Sequence, residues 1–132
     1  MDKEKLIDWG FRFIAAAILI QMLFYKLGAH PDSILLFSRL GLEPVGRVGV
    51  GIVELIVTIL LLVPETLKYG IVLGLGIMVG AVGSHLFVLG IEFNNDGGRL
   101  FFLALVTTVS LLVLAYRHRS NLKSLLPGTA AS

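Results

Sequence analysis

The stretch Gly46-Arg47-Val48-Gly49-Val50-Gly51-Ile52-Val53-Glu54-Leu55-Ile56-Val57-Thr58-Ile59-Leu60-Leu61-Leu62-Val63 decides the fold. As a helix it is long enough to cross a hydrocarbon core of about 30 Å. It stops at Pro64, where a helix would lose a hydrogen bond and clash with its own preceding turn. Glu54 sits near its middle. An ionisable side chain at that depth costs at least about 2.5 kcal/mol unless it faces a partner or a water-filled cavity. The stretch therefore predicts a membrane span and, with it, a partner for Glu54.

Outward from this span, the apolar runs repeat. Trp9–Tyr25 is a first span near the lower length limit, Tyr69–Ile91 a third with length to spare for tilt, and Leu100–Tyr116 a fourth. Pro64-Glu65-Thr66-Leu67-Lys68 is a tight loop, so the second and third spans are antiparallel neighbours. Ala29–Pro44 is too short and too polar to cross. Within it, Pro31-Asp32-Ser33 offers a helix start and Gly41 a stop, and Ile34, Leu35, Leu36, Phe37 and Leu40 make an apolar surface suited to the membrane interface. Asn94-Asn95-Asp96-Gly97-Gly98 is a turn cluster. The expected fold is all-α. It is a polytopic membrane four-helix bundle in a single domain over 1–132, with spans about 9–25, 46–63, 69–91 and 100–116 and a short interfacial helix about 31–41 between the first and second spans.

Composition agrees. Of 132 residues, 56% are hydrophobic and 15% charged, with a mean hydropathy of +0.90, against about 45–50% apolar and about 25% charged for soluble domains. The absence of cysteine excludes thiolate metal sites, disulfide relays and iron–sulfur clusters in this chain. The basic residues sit at span ends instead of in one patch, so no nucleic-acid partner is expected; the partner is membrane lipid. Asp2 and Glu4 beside Lys3 and Lys5 are unlike a secretory n-region, and Leu27-Gly28-Ala29 is a poor cleavage site, so the first helix is expected to be retained. Pro127–Ser132 is expected to fray. Four spans put both termini on one side, with Lys3, Lys5, Arg12, Lys68, Arg117, Arg119 and Lys123. Lys26, Arg39, Arg47 and Arg99 lie on the other. The excess of positive charge predicts cytoplasmic termini in a cell (inner) membrane.

Placing residues 100° apart sorts the polar ones into faces. Asp8, Arg12 and Lys26 share one stripe of the first span. Asp8 and Arg12 have the spacing and order of a helical ion pair, and both Arg12 and Lys26 can snorkel. Arg47, Gly51, Glu54 and Thr58 share a face of the second span that should point into the bundle. Arg47 is two turns from Glu54, ~10 Å along the axis, so another helix is expected to supply a closer partner. On the third span one face carries Gly70, Gly74, Met78, Ala81, His85 and Val88. Gly76, Gly80 and Gly83 form a second, smooth face that suits close helix contact. Counted from the outer ends, His85 lies ~9 Å deep and Glu54 ~12–15 Å, which makes His85 the candidate partner. Two readings of that pair stand level: proton handling, or an interhelical hydrogen bond that fixes register. Lys26, Arg47 and Arg99, with Asn94, Asn95 and Asp96, fall near one boundary and outline a polar vestibule above it. No metalloprotease, serine-hydrolase, P-loop or dinucleotide motif is present, and no metal site is expected. Haem between two histidines of one chain is not expected, because His30 and His118 lie outside the spans.

Phe24-Tyr25-Lys26, then Gly46-Arg47 leading to Gly51-Ile52-Val53-Glu54-Leu55, then Leu60-Leu61-Leu62-Val63-Pro64, then Met78, Ala81 and His85-Leu86 resemble the DoxX family of small four-helix membrane proteins. The resemblance runs from about Arg12 to Arg117. Leu23 departs from it, standing where many members have glycine. The resemblance implies association with a redox or oxidative-stress partner, and its recurring polar positions fall on Arg12, Lys26, Glu54 and His85. The resulting expectation is a membrane subunit supporting a redox partner, with a quinone-type ligand near the polar cluster and Glu54, His85, Arg47, Lys26, Arg12 and Arg99 as candidate ligand or proton-handling residues. A non-enzymatic assembly factor or scaffold is the alternative, homo-oligomerisation is compatible with either, and transport ranks third.

Overall fold

The computed structural model describes residues 2–127; Gly128–Ser132, most of the tail expected to fray, lie outside them. Six α-helices follow in order: α1 (Lys3–Leu27), α2 (Pro31–Arg39), α3 (Val45–Leu62), α4 (Leu67–Ser84), α5 (Arg99–Arg117) and the short α6 (Arg119–Lys123). Four segments are long and apolar enough to cross a membrane: α1, α3, α4 with its flanking turns, and α5. They form the all-helical membrane bundle read from the apolar runs. Each spanning helix satisfies its own backbone, which is the requirement hydrocarbon imposes.

The caps explain the boundaries. Asp2 accepts a hydrogen bond from the Lys5 N–H at 2.9 Å, so α1 starts well before the apolar run and carries charged residues out of the core. Pro31 opens α2, with His30 Nδ1 accepting from the Asp32 N–H at 3.1 Å. Gly41, at φ +72°, ends that helix in a conformation glycine adopts without strain. Pro64 stops α3, and a 3₁₀ turn over Pro64–Thr66 leads directly into α4.

In the bundle, α1 packs on α3 and α5, and α4 packs on the same two. The core lies toward the end that holds the termini, where Leu19, Val57, Leu61, Ile71, Leu111 and Leu114 are fully buried. Gly74 permits this closeness: a Cβ there would stand 2.9 Å from Leu111 and 3.2 Å from Val57. The outward residues, Phe87, Val45 and Val79 among them, are apolar and exposed, as lipid-facing positions must be. Ser84, Thr58, Thr107, Thr108 and Ser110 all return their hydroxyls to the carbonyl four residues back, the ordinary fate of such groups in membrane helices.

Two expectations about α4 need correction. The smooth face formed by Gly76, Gly80 and Gly83 packs on no other helix: a Cβ built on any of the three meets nothing within 4 Å. Close contact falls to Gly70 and Gly74. The helix also does not run regularly to residue 91. A π-helical turn over His85–Leu89 widens the backbone. The extra residue in that turn rotates the register, so Leu89 is buried while Val88, on the His85 face by the 100° reading, is exposed.

The loop after Gly90 is tied by Asp96. Its Oδ1 accepts from the N–H groups of Phe93 and Gly98 at 3.1 and 2.8 Å, and its Oδ2 from Leu100 at 3.2 Å. Burial works to raise the Asp96 pKa, but the N–H groups of Leu100, Gly98 and Phe93 together outweigh it and hold the carboxyl below its ordinary range. A pKa depressed in the folded state adds stability that is present above the unfolded value, about 3.9, and is lost as pH falls through the folded value. Asp96→Ala is expected to destabilise the detergent-solubilised protein by about 1–2 kcal/mol at neutral pH, as loss of a helix cap does. Melting curves from pH 7 downward should show the gap between the two proteins closing below pH ~4.

Candidate membrane-embedded polar site

The partner of Glu54 is Lys26. Glu54 is 1% exposed, and Lys26 Nζ lies 3.0 Å from one carboxylate oxygen and 3.2 Å from the other. The longer contact is a directed hydrogen bond. The shorter lies off the hydrogen-bond direction, so Oε1 keeps an unfilled acceptor position.

Gly51 makes this reach possible. A Cβ there would stand 2.9 Å from the Leu27 side chain and 3.4 Å from Lys26 Cβ. The end of α1 therefore rests against the backbone of α3 one turn from Glu54, ~4.5 Å along the axis. A lysine side chain covers that distance.

Arg47 faces elsewhere. Its Nε donates to both oxygens of Glu43 at 2.9 Å, and its Nη1 donates to the Lys26 carbonyl at 2.5 Å. It thus satisfies a terminal carbonyl of α1 and holds Lys26 in place from above. Thr58 donates to the backbone carbonyl of Glu54 and leaves the carboxylate alone.

His85 does not pair with Glu54. Its Nδ1 lies 3.0 Å from the Gly90 carbonyl, while the Gly90 N–H donates to the His85 carbonyl at 2.8 Å. A carbonyl can only accept, so Nδ1 carries a proton and the neutral ring has its lone pair on Nε2. Phe101 meets the ring edge-on at 5.6 Å. Glu54, Lys26 and His85 nevertheless share a wall: all three line one cavity of about 530 Å³, enclosed mostly by apolar side chains of α1, α2, α3, α4 and α5.

The remaining candidates lie apart. Arg99 is exposed at the start of α5. Of the expected vestibule, Asn94 is bonded to Asp32 at 2.8 Å and Asp96 to backbone. Arg12 belongs to the opposite end, fourteen residues from Lys26 on α1 and so ~21 Å away along the axis. Its Nε donates to the Leu61 carbonyl at 2.7 Å, its Nη1 lies 3.6 Å from Asp8, and its guanidinium stacks 3.7 Å above Trp9. Asp8 also holds His118 Nε2 at 2.6 Å and Arg117 Nε at 3.5 Å. This cluster tethers α1 to the end of α5. The helical spacing of Asp8 and Arg12 anticipates one contact in it, while the contribution of His118, at the end of the last span, leaves no mark in the local pattern.

Among the described residues no group of histidine and carboxylate side chains could hold a metal ion. Comparison with known proteins finds no matching family model, curated protein or solved structure. The site is therefore read from its own geometry.

Proposed function

We propose that the chain is a DoxX-like integral membrane subunit that binds a membrane-dissolved, quinone-type ligand and supports a redox partner, with both termini in the cytoplasm. The observation that carries this reading is the cavity. Its volume falls within the about 300–1,000 Å³ of small-molecule sites, and it combines apolar walls with a few convergent polar groups, as such sites do. A quinone has an apolar tail and ring carbonyls that need hydrogen bonds in an otherwise dry space. The Lys26 ammonium has three protons and directs one to Glu54, which leaves two for ligand oxygens. The free Oε1 position of Glu54 and Nε2 of His85 are acceptors for a hydroxyl, so oxidised and reduced headgroups can both be held.

The scaffold reading has its own support. The Lys26–Glu54 pair and the Arg47 bond to the Lys26 carbonyl lock α1 to α3 without any ligand. One experiment separates the two. Protein purified in mild detergent is extracted and its quinones are measured by mass spectrometry, for the native chain and for Glu54→Gln. Under the ligand reading, quinone accompanies the native chain at a stoichiometric level and falls severalfold in the variant. A scaffold carries no quinone, and Glu54→Gln then lowers only its melting temperature.

A further inference from the structure

We infer that the cavity is loaded sideways from the bilayer, through a gap between α3 and α4 walled by glycine. The inference rests on reading the cavity as a ligand site, and it adds the route and the position of the ligand's tail. Four residues of the cavity wall are exposed: Leu42, Gly49, Gly76 and Gly80. All four belong to α4 or to α3 and the segment leading into it. The wall residues from α1, α2 and α5 are buried or half-buried. The opening is thus on one side.

The two helices meet closely near their shared turn, where a Cβ on Gly70 would press on Leu60 and Leu61 of α3 and one on Gly74 on Val57 of α3 and Leu111 of α5. Farther out they present Gly49 on one side and Gly76 and Gly80 on the other, each with no atom within 4 Å of a built Cβ. Glycine inside a helix is destabilising relative to alanine. Glycines that support close packing recover that cost through contact, and these three make none. What they provide is width.

The gap faces the lipid-exposed flank of the bundle, beside Val79, and leads inward past Val50, Val53 and Ile77 to Glu54. A headgroup on the Lys26–Glu54 pair would leave its apolar tail lying in this gap, still in contact with lipid.

The test uses fluorescence, in vesicles, of a single tryptophan in the cavity wall. Trp9→Phe removes the native indole and keeps a ring for Arg12 to cover, and Leu19→Trp places the reporter at a fully buried wall position. Phosphatidylcholine brominated on its acyl chains should quench this tryptophan, and adding Gly76→Leu with Gly80→Leu should remove more than half of the quenching. Decylubiquinone quenching of the same tryptophan should develop about tenfold more slowly in the leucine variant, since a narrowed opening acts on association. Gly49→Leu narrows the gap from the other wall and replaces the pair if that variant does not fold. Equal lipid quenching with glycine or leucine overturns the inference. So does its absence in the glycine protein, the result expected if a second copy of the chain covers the gap. Lipid quenching that responds to leucine, with no quenching by the quinone, leaves the gap standing and removes the quinone reading instead.

Discussion

Lys26→Met is expected to be among the most damaging single substitutions in the chain. It leaves Glu54 buried at 1% exposure without its counter-charge, and breaking one side of a buried pair costs about 3–5 kcal/mol. Glu54→Leu leaves Lys26 with a shorter problem, because a lysine near a helix end can turn toward the interface. The double variant should recover most of the loss, since two apolar side chains there need no pairing. Thermal melts in one detergent give all four corners of the cycle. Strict additivity of the two single changes would mean that the 3.0 Å contact carries no coupling.

Asp8→Ala should follow closely. Asp8 faces Arg12, Arg117 and His118 at once, and its removal strands a guanidinium that is nearly fully buried and already has one nitrogen, Nη2, without a partner. The expected cost is again about 3–5 kcal/mol, appearing as separation of the N-terminal part of α1 from α5. Glu4 is the internal control. It also bonds Arg117, at 3.0 Å, but its side chain is 77% exposed, so Glu4→Gln should change stability by less than about 1 kcal/mol. Similar melting temperatures for the Asp8 and Glu4 variants would count against the cluster as a tether.

The spans were legible because their signal is redundant. Each apolar run is long, each loop carries proline or glycine, and nothing in a soluble fold needs that arrangement. The partner of Glu54 was not, although Lys26 and Glu54 are both polar residues in or beside apolar runs. Depth counted from the loops assumes that neighbouring helices end at one plane and that a lysine near an end turns outward. α1 violates both assumptions: it continues to Leu27, and Gly51 lets it rest on α3, so Lys26 points inward. A glycine one turn before a buried acid is the trace this leaves, and it becomes readable only once the contact is known. The depth of His85 points to Glu54 for a related reason. The π-helical turn directs its Nδ1 to Gly90, a backbone partner that side-chain periodicity cannot reveal. Glycine faces are equally ambiguous, since Gly74 and Gly80 look alike in sequence but one fits against Leu111 and the other meets open space.

The two charge clusters on α1 also differ in when the growing chain can complete them. Lys26 is synthesised before Glu54, so a cation is already in the bilayer when the acid-bearing helix arrives, and the toll on that helix is offset from the moment of insertion. Arg12 has Asp8 at once, but Arg117 and His118 emerge only after the rest of α5. The Lys26–Glu54 contact between α1 and α3 can therefore form while α5 is still unmade, whereas the Asp8 cluster waits for the end of α5.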